Sequence, residues 1–468
     1  MKWMGVLLLF FALPVFAHPG EPFALDFGGR TMPEHSLGII AADLFCGKKT
    51  CAGTSARHLP ELIRKGAADT LNVFRVNRHS AVDILHLDMA RRNFCRGDFF
   101  QSRSLLRQYA ERDDSHPLTR ELKRLDAALD LYDSLQSESF WNRISRERAE
   151  LSPEMARRVD AERLYLAVDL PFIAWMLVCI SFVFSVISFA IQSTSARIFG
   201  MGVLLQTMAA LSMFAVFIWR GIVTARIPLV NLYEILLVIS FGFSVLTLFG
   251  AMKEKSRGAL AGGTAAVFVC FFLMRFALSS GDPFGNVSQI LDSPFWLSLH
   301  VFTIASGFCL LLTACFLAHA ALWRRFRGYA PSKQLVSFLN GSLWAGFALS
   351  VAGTLIGGFW ADVAWGRFWG WDPKENGALL VLLWVLIVMH LKVGKLASPK
   401  TIEILVALLS IVIAFCLFGV NLLGVGLHSY GYSPGLFACF WGFVIVDLLA
   451  ISALSLGKMP GRAQAKDG

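Results

Sequence analysis

Residues 170–192 read LPFIAWMLVCISFVFSVISFAIQ, and this stretch decides the class of fold. A helix of about 20 apolar residues covers the hydrocarbon of a bilayer. Further apolar stretches of spanning length fall near 198–219, 231–252, 258–279, 295–323, 336–359, 376–392, 402–423 and 435–456. The composition agrees: of 468 residues 56% are apolar, 16% are charged and 40 are Phe. That much apolar surface does not fit into an ordinary soluble core, so a bilayer is the expected solvent. The expected fold is all-α: a polytopic membrane protein with about nine transmembrane helices.

Ahead of Asp169 the texture is different. Residues 1–17, MKWMGVLLLFFALPVFA, join one Lys, a short apolar run and the small residues Val15 and Ala17, the pattern of a secretory signal peptide. Residues 18–168 are expected to form a small, mostly helical extracytoplasmic domain. After Ser115-His116-Pro117, the residues Leu118, Leu122, Leu125, Leu129 and Tyr132 recur at helical spacing. The expected division is thus 1–17, 18–168, a transmembrane part at 169–456 and a cytoplasmic tail at 457–468. Of the nine cysteines, Cys46, Cys51 and Cys95 belong to the exported part, where Cys46 and Cys51 are the expected disulfide pair. No Cys-x-x-Cys-His occurs, so the chain is not itself a c-type cytochrome.

The net charge of +10 invites a nucleic-acid reading, which the positions of the charges dismiss. One set of loops and the tail hold Arg197, Lys253, Lys255, Arg257, Arg324, Arg325, Arg327, Lys333, Lys392, Lys395, Lys400, Lys458, Arg462 and Lys466. The opposite set holds Arg220, Arg226, Arg367 and Lys374. An excess of fourteen to four marks the first set as cytoplasmic.

With that orientation the unusual residues gather on the outer face. The loop between the sixth and seventh spans runs through Phe359, Trp360, Trp365, Phe368, Trp369, Trp371, Asp372, Glu375 and Asn376. Interfacial anchoring accounts for one or two tryptophans per loop. Four, with Gly, Pro and two carboxylates among them, suit a large planar ligand. His300, at the mouth of the fifth span, and His428, in the outer loop between the eighth and ninth, flank it. A lone interfacial His is more often a hydrogen-bonded structural residue than a ligand. Two imidazoles on either side of an aromatic loop are what axial ligation of haem iron requires. His390 falls fourteen residues beyond Asn376 in the seventh span, in the inner half of the bilayer, where ionisable groups are costly and usually functional. His319 is placed at the cytoplasmic surface and is the weaker candidate. Arg220, Arg226 and Arg275 near the outer surface are candidate partners for haem propionates, or simply span ends.

Trp-Gly-x-x-Trp-x-Trp-Asp-Pro-x-Glu at 365–375, with a His in an outer loop on either side, resembles the tryptophan-rich WWD haem-handling membrane proteins. Pro228-x-x-Asn-x-Tyr-Glu234, Trp296-Leu-x-x-His300-Val and Val420-Asn-x-x-Gly-x-Gly-Leu-His428-Ser-Tyr-Gly resemble the CcsA type of system II cytochrome c biogenesis in particular. The likeness covers about residues 200–456. It implies haem b as substrate and bound ligand, held outside the membrane under the WWD loop with His300 and His428 on the iron. It also implies an intramembrane ligand at His390, its opposite number coming from a CcsB-like membrane partner. The implied function is attachment of haem to the Cys-x-x-Cys-His of apocytochrome c, the chain acting as the haem-binding subunit of a holocytochrome c synthase. The implied location is a bacterial inner membrane, with the N-terminal domain and haem site facing outward. No catalytic acid, base or nucleophile is expected from this chain. Two rival readings are a system I haem lyase or haem chaperone, which shares the aromatic loop, and a b-type electron carrier, which needs paired His within the spans.

Overall fold

In the computed structural model the described residues run from 24 to 456, with the longer breaks at 65–73, 111–116, 143–151, 191–195, 275–283, 285–292 and 421–433. The expected signal peptide, Arg275, His428 and the expected cytoplasmic tail lie outside them. The chain divides into two units, one of Met1–Leu170 with Ile222–Ala225 and Ser280–Asn286, the other of the remainder.

The first unit contains α1 (Glu34–Cys46), α2 (Leu59–Arg64), α3 (His79–Ile84), α4 (Arg103–Ala110), α5 (Pro117–Gln136) and α6 (Pro153–Val168). Its expected helical character holds, with an addition that no residue pattern announced. Three short antiparallel ribbons pair β1 (Ala24–Phe27) with β2 (Arg30–Pro33), β3 (Thr50–Cys51) with β4 (Thr54–Ser55), and β5 (Phe74–Arg75) with β6 (Asn93–Phe94). The apolar stripe of α5 buries Leu122, Leu125, Leu129 and Tyr132 against Phe45, Phe74 and Phe99. From the same helix Arg124 donates to the backbone carbonyls of Leu44 and Arg75, tying α5 to the end of α1 and to β5. Cys46 is disulfide-bonded, whereas Cys95 keeps a free thiol.

The second unit is helical: α7 (Leu170–Ala190), α8 (Ala196–Thr224), α9 (Leu232–Glu254), α10 (Arg257–Phe272), α11 (Pro294–Phe326), α12 (Lys333–Trp365), α13 (Pro373–Val393), α14 (Pro399–Leu417) and α15 (Pro434–Ser455). Among the described residues eight helices are long and apolar enough to cross a membrane, and the protein is polytopic. The remaining expected span, 258–279, is represented by α10, whose 16 helical residues stop short of that length.

The tightest pairing is between α11 and α12. In a bilayer, where lipid competes for apolar side chains, small residues let helix backbones approach closely. On α12 the small residues Gly346, Ser350, Gly353 and Gly357 recur at spacings of four, three and four, one stripe of the helix. A Cβ at Gly346 would lie 2.8 Å from the Leu311 backbone nitrogen, and one at Gly353 2.8 Å from that of Ile304. Only glycine permits contacts that close. The facing residues on α11, Leu311, Gly307, Ile304 and His300, run at the reciprocal spacing. The seam therefore ends at an imidazole.

Toward the opposite ends of these helices the polar groups are paired. Arg325 of α11 donates through Nε and Nη2 to the two carboxylate oxygens of Glu403 on α14, at 2.5 and 2.8 Å, with both side chains buried.

Candidate functional site

The loop that carries the aromatic motif is a helix-to-helix turn whose ends are fixed by local chemistry. Helix α12 stops at Gly366, which takes a left-handed conformation (φ 69°) and donates to the Asp362 carbonyl. Helix α13 starts at Asp372, whose carboxylate accepts from Lys374 N at 2.9 Å. Glu375 reaches back to accept from the Asp372 and Gly370 backbone N–H groups, at 3.0 and 2.8 Å. Together with Pro373 in the first turn this is a capping box. Both carboxylates of the motif are therefore engaged in starting a helix. Asp-Pro-x-Glu ahead of an apolar run is the local signature of such a start.

Between those ends the aromatic side chains divide by exposure. Trp360 is buried, Trp365 and Trp369 are half-buried, and Trp371 is 70% exposed. Trp371 has φ 58°, unusual for a residue with a side chain. The exposed Asn376 side chain donates to its carbonyl at 3.0 Å, bracing that turn. Trp369 and Trp371 meet edge to face with centroids 6.3 Å apart.

His300 lies beneath this loop. Its Nδ1 is 2.8 Å from the Gly353 carbonyl oxygen. A carbonyl only accepts, so Nδ1 carries the proton and Nε2 is the ring's lone-pair nitrogen. An imidazole with one nitrogen held by a backbone carbonyl is oriented to offer the other to a metal. The ring packs on Trp360, centroids 6.0 Å apart, and presses on Gly357, where a Cβ would lie 2.5 Å from Cε1. Neither Gly353 nor Gly357 was singled out from the sequence, although their spacing with Gly346 carries the signal.

His300, Trp360, Trp365, Phe368, Trp369, Lys374 and Glu375 line one cavity, whose floor is aliphatic (Ile235, Val301, Ile304). It holds about 150 Å³. Pockets that enclose a drug-sized ligand run to roughly 300–1,000 Å³. A cavity of this size encloses no more than part of a ligand of that class.

The remaining candidates are dispersed. His390 is exposed in the last turn of α13, and its Nδ1 is 2.8 Å from the Leu386 carbonyl. Arg220 is buried and donates to Glu234 from Nη2 at 2.7 Å and from Nε at 3.1 Å, with its guanidinium over the Tyr233 ring. Glu234 also accepts from Val230 N, and Asn231 caps α9 by accepting from Glu234 N. Arg226 is half-buried. His319 is half-buried between helices. Its Nε2 is 3.1 Å from Asp447 Oδ1 on α15, and Ser410 of α14 donates to Asp447 Oδ2 at 2.6 Å. Asp447 was missed, though an acid within an apolar span is by itself a signal.

Comparison with known proteins follows the same stretch. Residues 229–428 match the family described as cytochrome c assembly protein. The cytochrome c biogenesis protein CcsA of Synechococcus sp. is 29% identical over 264 residues, 49% of this chain and 84% of that protein. The CcsA protein of Amborella trichopoda is 28% identical over 253 residues, covering 45% of this chain and 80% of its own. Protein NrfI of Wolinella succinogenes is 33% identical over 223 residues, 45% of this chain but only 24% of NrfI. Among solved structures, a cytochrome c haem lyase CcmF superposes with a TM-score of 0.48 at 17% identity, over 63% of this chain and 51% of CcmF.

Proposed function

We propose that this multi-span membrane protein, whose residues 229–428 match the family described as cytochrome c assembly protein, handles haem for covalent attachment to apocytochrome c. In this reading haem b is the substrate, and the chain is the haem-binding subunit of a holocytochrome c synthase working beside a CcsB-like membrane partner. The loop face opens outside the cytoplasm, in keeping with the charge asymmetry of the loops.

The observation that carries the reading is His300. Its Nδ1 is held by the Gly353 carbonyl, its ring is seated on Gly357, and it lies within a cavity walled by Trp360, Trp365 and Trp369. A ring fixed in one tautomer and orientation is what a metal ligand needs; a structural His requires neither the aromatic wall nor an opening. His428 is proposed as the second axial ligand. Trp360, Trp365, Trp369 and Trp371 supply the apolar surface for the porphyrin, with Asp372 and Glu375 holding the loop in shape. Arg226 and Arg275 are the proposed propionate contacts. Arg220 contributes indirectly, since its pairing with Glu234 fixes the turn that carries Arg226.

His390 is proposed as an intramembrane haem ligand. Its exposure on α13 leaves it facing outward from this chain, among the exposed apolar residues Leu383, Leu386 and Ile387. That placement suits an iron shared with a second polypeptide.

Attachment needs no nucleophile from this chain. Each Cys–SH of the apocytochrome adds across a vinyl C=C: sulfur bonds to one carbon, the proton goes to the other, and nothing leaves. The chain's contribution is positioning and axial control of the iron. Reconstituting the purified protein with a CcsB-like chain, haem and apocytochrome, and scoring covalent haem by denaturing-gel haem stain, tests this. The expected result is product from the wild type and several-fold less from His300→Ala, restored by added imidazole. Equal product from His300→Ala without imidazole would reject the assignment.

A further inference from the structure

Lys374 is part of the helix-starting Asp-Pro-Lys-Glu turn, and its side chain reaches beyond it. It crosses to α14, where Nζ donates to the carbonyls of Cys416 and Leu417 at 3.0 and 2.8 Å. These are among the last carbonyls of α14, at the negative end of its dipole. An ammonium there makes charge-assisted bonds, stronger than neutral ones. One turn further along, the two helices touch through backbone: a Cβ at Gly377 would lie 3.2 Å from Cys416 Cα and 3.1 Å from its Sγ. Nearer their other ends Trp384 Nε1 donates to the Leu405 carbonyl at 2.9 Å. The α13–α14 pair is therefore fastened at two levels, and Lys374 is the fastening at the outer one.

We infer that Lys374 is a positioning residue that pins the end of α14 to the aromatic loop, so that the chain leaving α14 starts from a fixed place beside the His300 cavity. Lys374 and Cys416 both line that cavity, so the pin is part of its wall. The chain after Leu417 leads to His428, and the consequence for haem rests on the proposed ligation by His300 and His428. With the ammonium removed, the last turn of α14 loses two charge-assisted bonds and is held less firmly against α13.

Two readouts separate the pin from the ligation it serves. Cys416 is buried, and its thiol reports on fraying without any haem. The full-length protein in detergent is treated with a maleimide, and labelling of the Cys416 peptide is followed by mass spectrometry for wild type, Lys374→Met and Lys374→Arg. Expected is an increase of about tenfold in the Cys416 labelling rate for Lys374→Met, and a near wild-type rate for Lys374→Arg, which keeps the charge and donors. The haem absorbance of Lys374→Met should lose its outer-site axial ligation and regain it with imidazole. Unchanged Cys416 labelling in Lys374→Met overturns the pin. Raised labelling with an unchanged haem spectrum upholds the pin and rejects the ligation reading instead. Should Lys374→Met fail to accumulate, Lys374→Gln, which keeps a neutral donor, is measured in the same way and judged by the same outcomes.

Discussion

A methyl group placed on Gly357 would stand 2.5 Å from Cε1 of His300 and 2.7 Å from its Nδ1, closer than any packed contact allows. The imidazole therefore occupies the space that a side chain on α12 would fill. Gly357→Ala is expected to push the ring off the Gly353 carbonyl while leaving the rest of the α11–α12 seam in place. Overpacking of this kind costs about 1–3 kcal/mol, small enough for the protein to accumulate. The purified variant should reproduce the haem spectrum of His300→Ala. A wild-type spectrum would mean that the ring's seat does not matter.

Asp372 separates capping from charge. Asparagine is as good an N-cap as aspartate, while alanine at such a position costs about 1 kcal/mol. Covalent haem formation should survive Asp372→Asn and fall in Asp372→Ala if the carboxylate serves the start of α13. Comparable loss in both variants would show that the negative charge itself meets the ligand.

The Arg220–Glu234 pair is buried on both sides. Removing one partner strands the other charge, at a cost of about 3–5 kcal/mol, whereas replacing both with apolar residues is often near neutral. Thermal melting in detergent should therefore show Arg220→Met and Glu234→Met each well below wild type, with the double variant largely recovered. If Arg220 is chiefly a propionate ligand, Glu234→Met melts near wild type and only haem retention suffers in Arg220→Met.

His319 and Asp447 hold α15, the final described helix, against α11. Nδ1 of His319 faces the Cys315 carbonyl and Nε2 faces a carboxylate, so the ring's two contacts are both with acceptors. One proton between Nε2 and Asp447 leaves the pair with no net charge, the arrangement an apolar interior tolerates. Asp447→Leu should lower the melting temperature in detergent, and His319→Leu in the same chain should recover part of it. A double variant no better than the single would show that the two do not act as a pair.

The spans, and the gathering of tryptophans at one loop, were legible because bilayer thickness imposes a length that residues 170–192 or 435–456 meet directly. Packing was less so. Gly346, Gly353 and Gly357 have the spacing of a helix seam, but many glycine stripes never meet a partner, and only the paired helix shows which residue the last one accommodates. Motifs proved ambiguous in a particular way. Asn231-x-x-Glu234 lies in a family motif and Asp372-x-x-Glu375 in the aromatic one, and both also start helices. A carboxylate that caps a helix and one that meets a ligand look alike in one dimension. The partnership of His319 with Asp447 joins residues 128 positions apart, beyond the reach of any local pattern.

The proposed axial ligation of haem is most directly tested by the absorbance spectrum of the purified, haem-loaded protein. The wild type should show the sharp Soret and split visible bands of low-spin, six-coordinate iron. His300→Ala and His428→Ala should each weaken or broaden them, and imidazole should bring them back. Spectra identical to wild type in both variants, with haem still bound, would contradict the account.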